Sequence, residues 1–191
     1  CGCGLAICAS SAVFPMLSAS RAARAAAIEK GYVGRKLSPY FERLDNQIVR
    51  CTLCPHGCEV GPGERGICEV RKNIEGQYYS LVYGNPCAVH IDPIEKKPFY
   101  HVLPASRAFS IATAGCNFDC KFCQNWEIAN LGIGSERNIE DFAEMMLKLQ
   151  EDGCHNINLV TPTHYSAHIL KAVDIAAERG LRLPIVYNTS G

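Results

Sequence analysis

Three cysteines, Cys116, Cys120 and Cys123, fall within eight residues in the stretch SIATAGCNFDCKFCQNW. Thiolate sulfur is a soft ligand suited to zinc, copper(I) or iron–sulfur clusters. A closed tetrahedral site needs four ligands, so three close sulfurs leave one coordination position open, and an open position marks catalysis rather than structure. A second group, CTLCPHGCEVGPGERGICEVR, holds Cys51, Cys54, Cys58 and Cys68. Four sulfurs complete a tetrahedral site, and Gly57, Gly61, Gly63 and Gly66 permit the turns that let them converge. Structural zinc and a second iron–sulfur cluster both fit this spacing. His56 reads as a loop residue, because the thiolates already fill the site.

The chain has 191 residues, 12 of them cysteine, with 19 basic and 19 acidic residues that cancel. That length supports one sizeable domain with a real core, or one domain plus a small appendage. The basic residues form no long run, so nothing favours nucleic acid or an anionic membrane surface. Cysteines bunched in this way indicate metal and a reducing, cytoplasmic compartment rather than a disulfide framework. Residues 5–17 (LAICASSAVFPML) are uncharged and apolar, but shorter than the ~20 residues a membrane span needs. Two readings stand for them: the core of a signal, the remnant of a twin-arginine-type export sequence, or a buried apolar segment leading into a helix. The first residue is cysteine rather than methionine, so a chain without its true start is expected.

The elements that must position the cysteines follow from periodicity. Alanine-rich residues 21–30 predict a helix stopped by Gly31. Over residues 36–49, Leu37, Tyr40, Phe41 and Leu44 lie at helical spacing and predict a short helix. Residues 77–89 alternate around Gly84-Asn85-Pro86 and predict a β-hairpin with Cys87 in its second strand. Cys87 and Cys154 read as buried, inert thiols. Residues 92–101 (DPIEKKPFYH) read as a connection across the mouth of the next domain, with Lys96 and Lys97 on a solvated face. A buried strand is expected over 108–113. Asn138 caps a helix over 139–152, with Phe142, Met145, Met146 and Leu149 on one face and Gly153 at its end. A second strand spans 156–161. A second helix spans 165–179, with Ile169, Leu170, Val173 and Ala177 facing the core, and a third strand spans 183–187. This is βαβαβ, a parallel sheet with right-handed crossovers. Ligands in such sheets bind at the carboxyl ends of the strands. There the cysteine loop, Thr161 to His164 and Asn188 to Ser190 would emerge on one rim.

The loop Cys116-x3-Cys120-x-Phe122-Cys123, following the first strand of a βα repeat, resembles the radical S-adenosylmethionine superfamily. CTLCPHGC, DPIEKKPFYH, CQNW, VTPTHY and IVYNTSG are similar to the pyruvate formate-lyase activating enzyme homologue branch, over residues 51–191. The resemblance implies an α/β fold: the N-terminal half of a partial (β/α)6 barrel over 107–191, behind a cysteine-rich metal knot over 51–106 and an N-terminal segment over 1–50. Three strands are too few to close a barrel, so a truncated chain is expected. The resemblance also implies a [4Fe–4S] cluster on Cys116, Cys120 and Cys123, with the fourth iron chelated by S-adenosylmethionine. One electron through the cluster would break the sulfur–C5′ bond, giving a 5′-deoxyadenosyl radical that abstracts hydrogen. Phe122 would lie beside the adenine. Thr161, Thr163 and His164 stand where the superfamily carries a Gly-Gly-Glu-Pro-like motif, here replaced by Val-Thr-Pro-Thr. Asn188-Thr189-Ser190-Gly191 resembles an Asp-Thr-Asn-Gly segment, which places Asn188 and Ser190 at the cofactor. Implied partners are an electron donor such as flavodoxin or ferredoxin, and a protein substrate activated at a glycine Cα–H.

Two other classes compete with a radical enzyme. An iron–sulfur electron carrier needs a fourth cysteine beside residues 116–123, and Cys154 is the only downstream candidate. A zinc-stabilised binding module needs zinc in both knots and no iron.

Overall fold

The structure, a computed structural model, describes residues 35–83, 86–130 and 137–189. The apolar run at 5–17, the helix expected at 21–30, the Gly84-Asn85 turn and Ser190 lie outside the described residues. Among the described residues no helix is long and apolar enough to cross a membrane.

The cysteine-rich part consists of short antiparallel strands. β1 (Lys36–Leu37), β6 (Gln77–Ser80) and β5 (Arg71–Ile74) make one three-stranded sheet in that order. β2 (Phe41–Arg43), β3 (Val49–Cys51) and β4 (Glu59–Val60) make another. The helix expected over 36–49 is therefore absent. Phe41 pairs with Cys51 and sets its ring 6.2 Å from that of Tyr78. Leu37, which the helix reading would bury, is half exposed. Cross-strand pairing and aromatic contact outweigh a weak helical spacing in so short a segment.

The hairpin expected over 77–89 also fails. β6 turns back on β5 through Glu75 and Gly76, both left-handed (φ 52° and 76°). This is the backbone that suits a two-residue hairpin. β7 (Pro86–Pro93) instead joins the second half of the chain, antiparallel to β8 (Arg107–Thr113).

That second half is a four-stranded sheet in the order β10-β9-β8-β7, with β9 spanning Ile157–Val160 and β10 Ile185–Asn188. β8, β9 and β10 run parallel, as alternation with helices requires. β7 covers the outer edge of β8 and adds a fourth, antiparallel strand to the three expected. The crossover helices are α2 (Ile139–Glu151) and α3 (Ser166–Glu178), preceded by a short α1 (Trp126–Asn130) that periodicity did not reveal. Asn138 caps α2 in a full capping box: its side chain accepts from the Asp141 N–H at 2.7 Å, and Asp141 accepts from the Asn138 N–H at 3.1 Å.

Phe142, Met146 and Leu149 of α2 and Ile169, Ala172 and Ala176 of α3 pack on Phe109, Ile111, Ile157 and Leu159. The core face of α3 is rotated from expectation. Leu170 is 62% exposed, while His168 and Ala172 are buried.

Residues 92–101 do not cross the rim. Pro93 pairs with Arg107, so the segment leaves β7 beside the start of β8, at the end of the sheet away from the cysteine loop. Asp92 accepts from Lys96 at 2.9 Å and from Lys97 at 2.7 Å, so both lysines are engaged in ion pairs.

Candidate active site at the carboxyl rim of the parallel sheet

β8 is buried along nearly its whole length and delivers Ala114 and Gly115, also buried, to the rim. Gly115 has φ +89°, and a Cβ there would lie 2.2 Å from Val70 Cγ1 and 3.0 Å from the Cys68 carbonyl oxygen. The strand can leave the sheet at this point only without a side chain. The cysteine loop follows at once. Cys116 and Cys123 are half-buried and Cys120 is exposed, all three as free thiols. The Cys116 sulfur accepts from the Phe118 N–H at 3.4 Å, and the Cys123 N–H donates to the Cys120 carbonyl at 3.2 Å, closing a turn. Phe122 projects outward at 88% exposure. The loop returns through α1, where the Ile128 carbonyl accepts from the Gly115 N–H at 3.4 Å.

At the end of β9, Thr161 adopts the left-handed conformation (φ 46°, ψ 55°) and leads into a one-turn 3-10 helix, Pro162–Tyr165. His164 is buried; its Nε2–H donates to the Ala114 carbonyl at 2.9 Å, with Thr113 Oγ1 at 3.0 Å. Burial pushes its pKa down to about 4, so the ring is neutral near pH 7. His164 therefore clamps the β9 loop to the end of β8. Tyr165 donates its hydroxyl proton between the Ile111 carbonyl (3.1 Å) and the Val160 carbonyl (3.3 Å), tying the same two strands. At β10, the Thr161 N–H donates to the Asn188 carbonyl at 3.0 Å, and the Thr163 and Thr189 hydroxyls lie 3.4 Å apart. Asn188 is exposed. The three polar clusters do emerge on one rim, with His164 turned inward rather than to solvent.

The cysteine-rich part sits against this rim. One cavity of about 20 Å³ is lined by Cys51, Cys54, Cys58 and Cys68 together with Asn117, Thr163 and His164. Burial raises the Cys54 thiol and pushes that of Cys68 up to about 12. His56, read as a bystander, places Nδ1 3.7 Å from Cys54 Sγ and packs edge-on against Phe118. Sequence reading also passed over Arg71 and Asn117, buried polar residues beside the two cysteine groups. Only their nearness to Cys68 and Cys116 in the chain could have drawn attention to them. Cys154 is buried ahead of β9, at the opposite end of the sheet from the loop, and so lies away from the place where a fourth ligand would be needed.

A three-thiol donor set on a loop with one exposed flank fits an iron–sulfur cluster with one iron free of protein ligands. Among the described residues no three His, Cys, Asp or Glu side chains already stand in a metal-holding arrangement. Fit therefore rests on donor chemistry and placement.

Residues 110–191 match the Radical SAM superfamily. An uncharacterized protein of Methanocaldococcus jannaschii is 38% identical over 146 residues, covering 74% of this chain and 44% of the relative. A second uncharacterized protein of the same organism is 29% identical over 159 residues, covering 78% of this chain and 41% of the relative. The chain thus spans less than half the length of these curated relatives. No solved structure matches it.

Proposed function

We propose, from a chain that carries a Radical SAM superfamily domain over residues 110–191, that Cys116, Cys120 and Cys123 hold a [4Fe–4S] cluster and that S-adenosylmethionine binds at its free iron. The observation that carries this reading is the three-thiol loop at the carboxyl end of a buried parallel strand, within the matched region. When bound and reduced, the cluster supplies cleavage of the cofactor to methionine and a 5′-deoxyadenosyl radical, which abstracts hydrogen from a substrate.

The chain's own residues position and shield. Gly115 and the Ile128 carbonyl fix where the loop leaves the sheet. His164 and Tyr165 hold the β8 and β9 ends together, so the rim keeps its shape while the loop carries its load. Thr161, Thr163 and Asn188, from two neighbouring strands, offer hydroxyl and amide groups to the amino-acid part of the cofactor. Phe122, exposed on the loop, offers a ring for the adenine. The exposed side of Cys120 is the approach for an electron donor of the flavodoxin or ferredoxin kind. The likeness of CTLCPHGC, VTPTHY and IVYNTSG to pyruvate formate-lyase activating enzyme homologues supports a glycine Cα–H of a partner protein as the site of abstraction.

The test is anaerobic reconstitution of the native protein with iron and sulfide, followed by reduction in the presence of S-adenosylmethionine. We expect about four irons per loop and release of 5′-deoxyadenosine. An intact, reducible cluster that releases none, with or without candidate glycyl proteins, rules out the radical reading.

A further inference from the structure

Arg71 is 2% exposed. One of its terminal nitrogens donates to Ser38 Oγ at 2.6 Å, its Nε meets no partner, and among the described residues no carboxylate pairs with it. A buried guanidinium without a counter-charge is costly, because it always carries its proton and cannot escape by neutralising. Arg71 lines the cavity into which Cys51, Cys54, Cys58 and Cys68 open. Beside Leu53, Ile67 and Tyr78, the polar groups on the other walls, Asn117, Thr163 and the histidines, include no carboxylate. Neutral thiols would leave a cation in a cavity lined by no anionic group.

We propose that these four cysteines bind one zinc-class divalent ion as thiolates, and that Arg71 is the counter-charge built in for that site. Four thiolates on a dication carry a net charge of about 2−, and a guanidinium at the wall offsets half of it. The ion releases the thiol protons to solvent as it binds. Four sulfurs on this cavity are the number that the tetrahedral shell of one such ion takes. The sulfurs line this space without standing in a coordination sphere, so the ion would draw the loop around Cys54 and Cys58 inward. Gly57, left-handed at φ +52°, makes the turn of that loop, its N–H donating to the Cys54 carbonyl at 3.2 Å. Because Asn117, Thr163 and His164 form the facing wall, the loaded site would also fasten the cysteine-rich part to the catalytic rim.

The two metal sites can be tested apart. A C116S/C120S/C123S variant lacks the thiols that would hold the cluster, so any metal it binds reports on the second site. We expect one zinc per chain in it. In the same background, cobalt(II) should give the intense sulfur-to-metal charge-transfer bands and visible bands of a tetrahedral tetrathiolate. Arg71→Met should lower zinc affinity, measured by competition with a chromophoric chelator, by about 10- to 100-fold, and Arg71→Lys should recover part of it. Circular dichroism identifies a folded Arg71→Met; if that variant unfolds, Arg71→Lys and Ser38→Ala, which loosens the guanidinium, carry the comparison. Absence of zinc from the triple variant, iron and sulfide in its place, or unchanged affinity in these Arg71 and Ser38 variants would overturn the proposal. The radical reading would survive each of these outcomes.

Discussion

Replacing Gly115 by alanine should cost far more than a glycine-to-alanine change elsewhere at similar backbone angles. The added Cβ would sit 2.2 Å from Val70 Cγ1, at least ~1.3 Å inside the 3.5–4.0 Å optimum for two carbons. Val70 is fully buried and β-branched, so it has few rotamers with which to yield. Overpacking of this kind costs about 1–3 kcal/mol. Holding an alanine at φ +89° adds roughly 1–2 kcal/mol. Together these remove about 2–5 kcal/mol, a large part of a typical net stability of roughly 5–15 kcal/mol. Gly63 is the control, with φ +82° and no atom within 4 Å of where a Cβ would lie, so Gly63→Ala should show the backbone cost alone. Urea denaturation followed by far-ultraviolet circular dichroism measures both, with the midpoint moving and the slope unchanged. Adding Val70→Ala to Gly115→Ala should recover about 1 kcal/mol or more as coupling in a double-mutant cycle. The reasoning fails if Gly115→Ala is no worse than Gly63→Ala, or if Val70 shows no coupling to it.

Four further outcomes are expected. His168 is buried against the Tyr83 ring and held neutral, its pKa pushed down to about 3 by burial. Unfolding exposes it to protonation near 6.5, so stability should fall as pH drops below that value and keep falling toward 3, by up to about 1.4 kcal/mol per unit; His168→Phe should flatten the slope by one proton in midpoints taken at pH 7, 6 and 5. Tyr165→Phe removes the hydroxyl shared by the Ile111 and Val160 carbonyls and should cost about 1–2 kcal/mol in the same denaturation assay. Asn138→Ala breaks the capping box of α2 and should cost about 1 kcal/mol, with no change in iron content. Cys120→Ser should abolish the visible absorbance of the reconstituted cluster while Cys154→Ser leaves it intact; loss in the second variant would restore the electron-carrier reading.

The parallel half of the fold was legible because its signals are long and local. Asn138 before a 13-residue amphipathic helix and Gly153 after it bound α2 almost to the residue. The alternation of β8, β9 and β10 with helices then forced the loops after them onto one rim. The cysteine-rich half resisted for the opposite reason. Its strands are two to four residues long, too short for a period to be counted. Their pairing is set by contacts such as Phe41 with Tyr78 that no local window contains. Of the site, the three-cysteine loop and the rim threonines could be read directly. That His164 turns inward to Ala114, and that Arg71 lies among the sulfurs, depends on how two halves of the chain pack. No spacing encodes that.

The three rim sulfurs are unequally placed: Cys120 is open to solvent, while Cys116 and Cys123 are half-covered. Oxidation of cysteine follows access as well as thiolate character. In air, damage should begin at Cys120 and spread to its neighbours only after the loop has loosened. On the proposed reading, the flank open to an electron donor would also be the flank open to dioxygen, so one exposed residue would set both how quickly the centre is charged and how long it lasts.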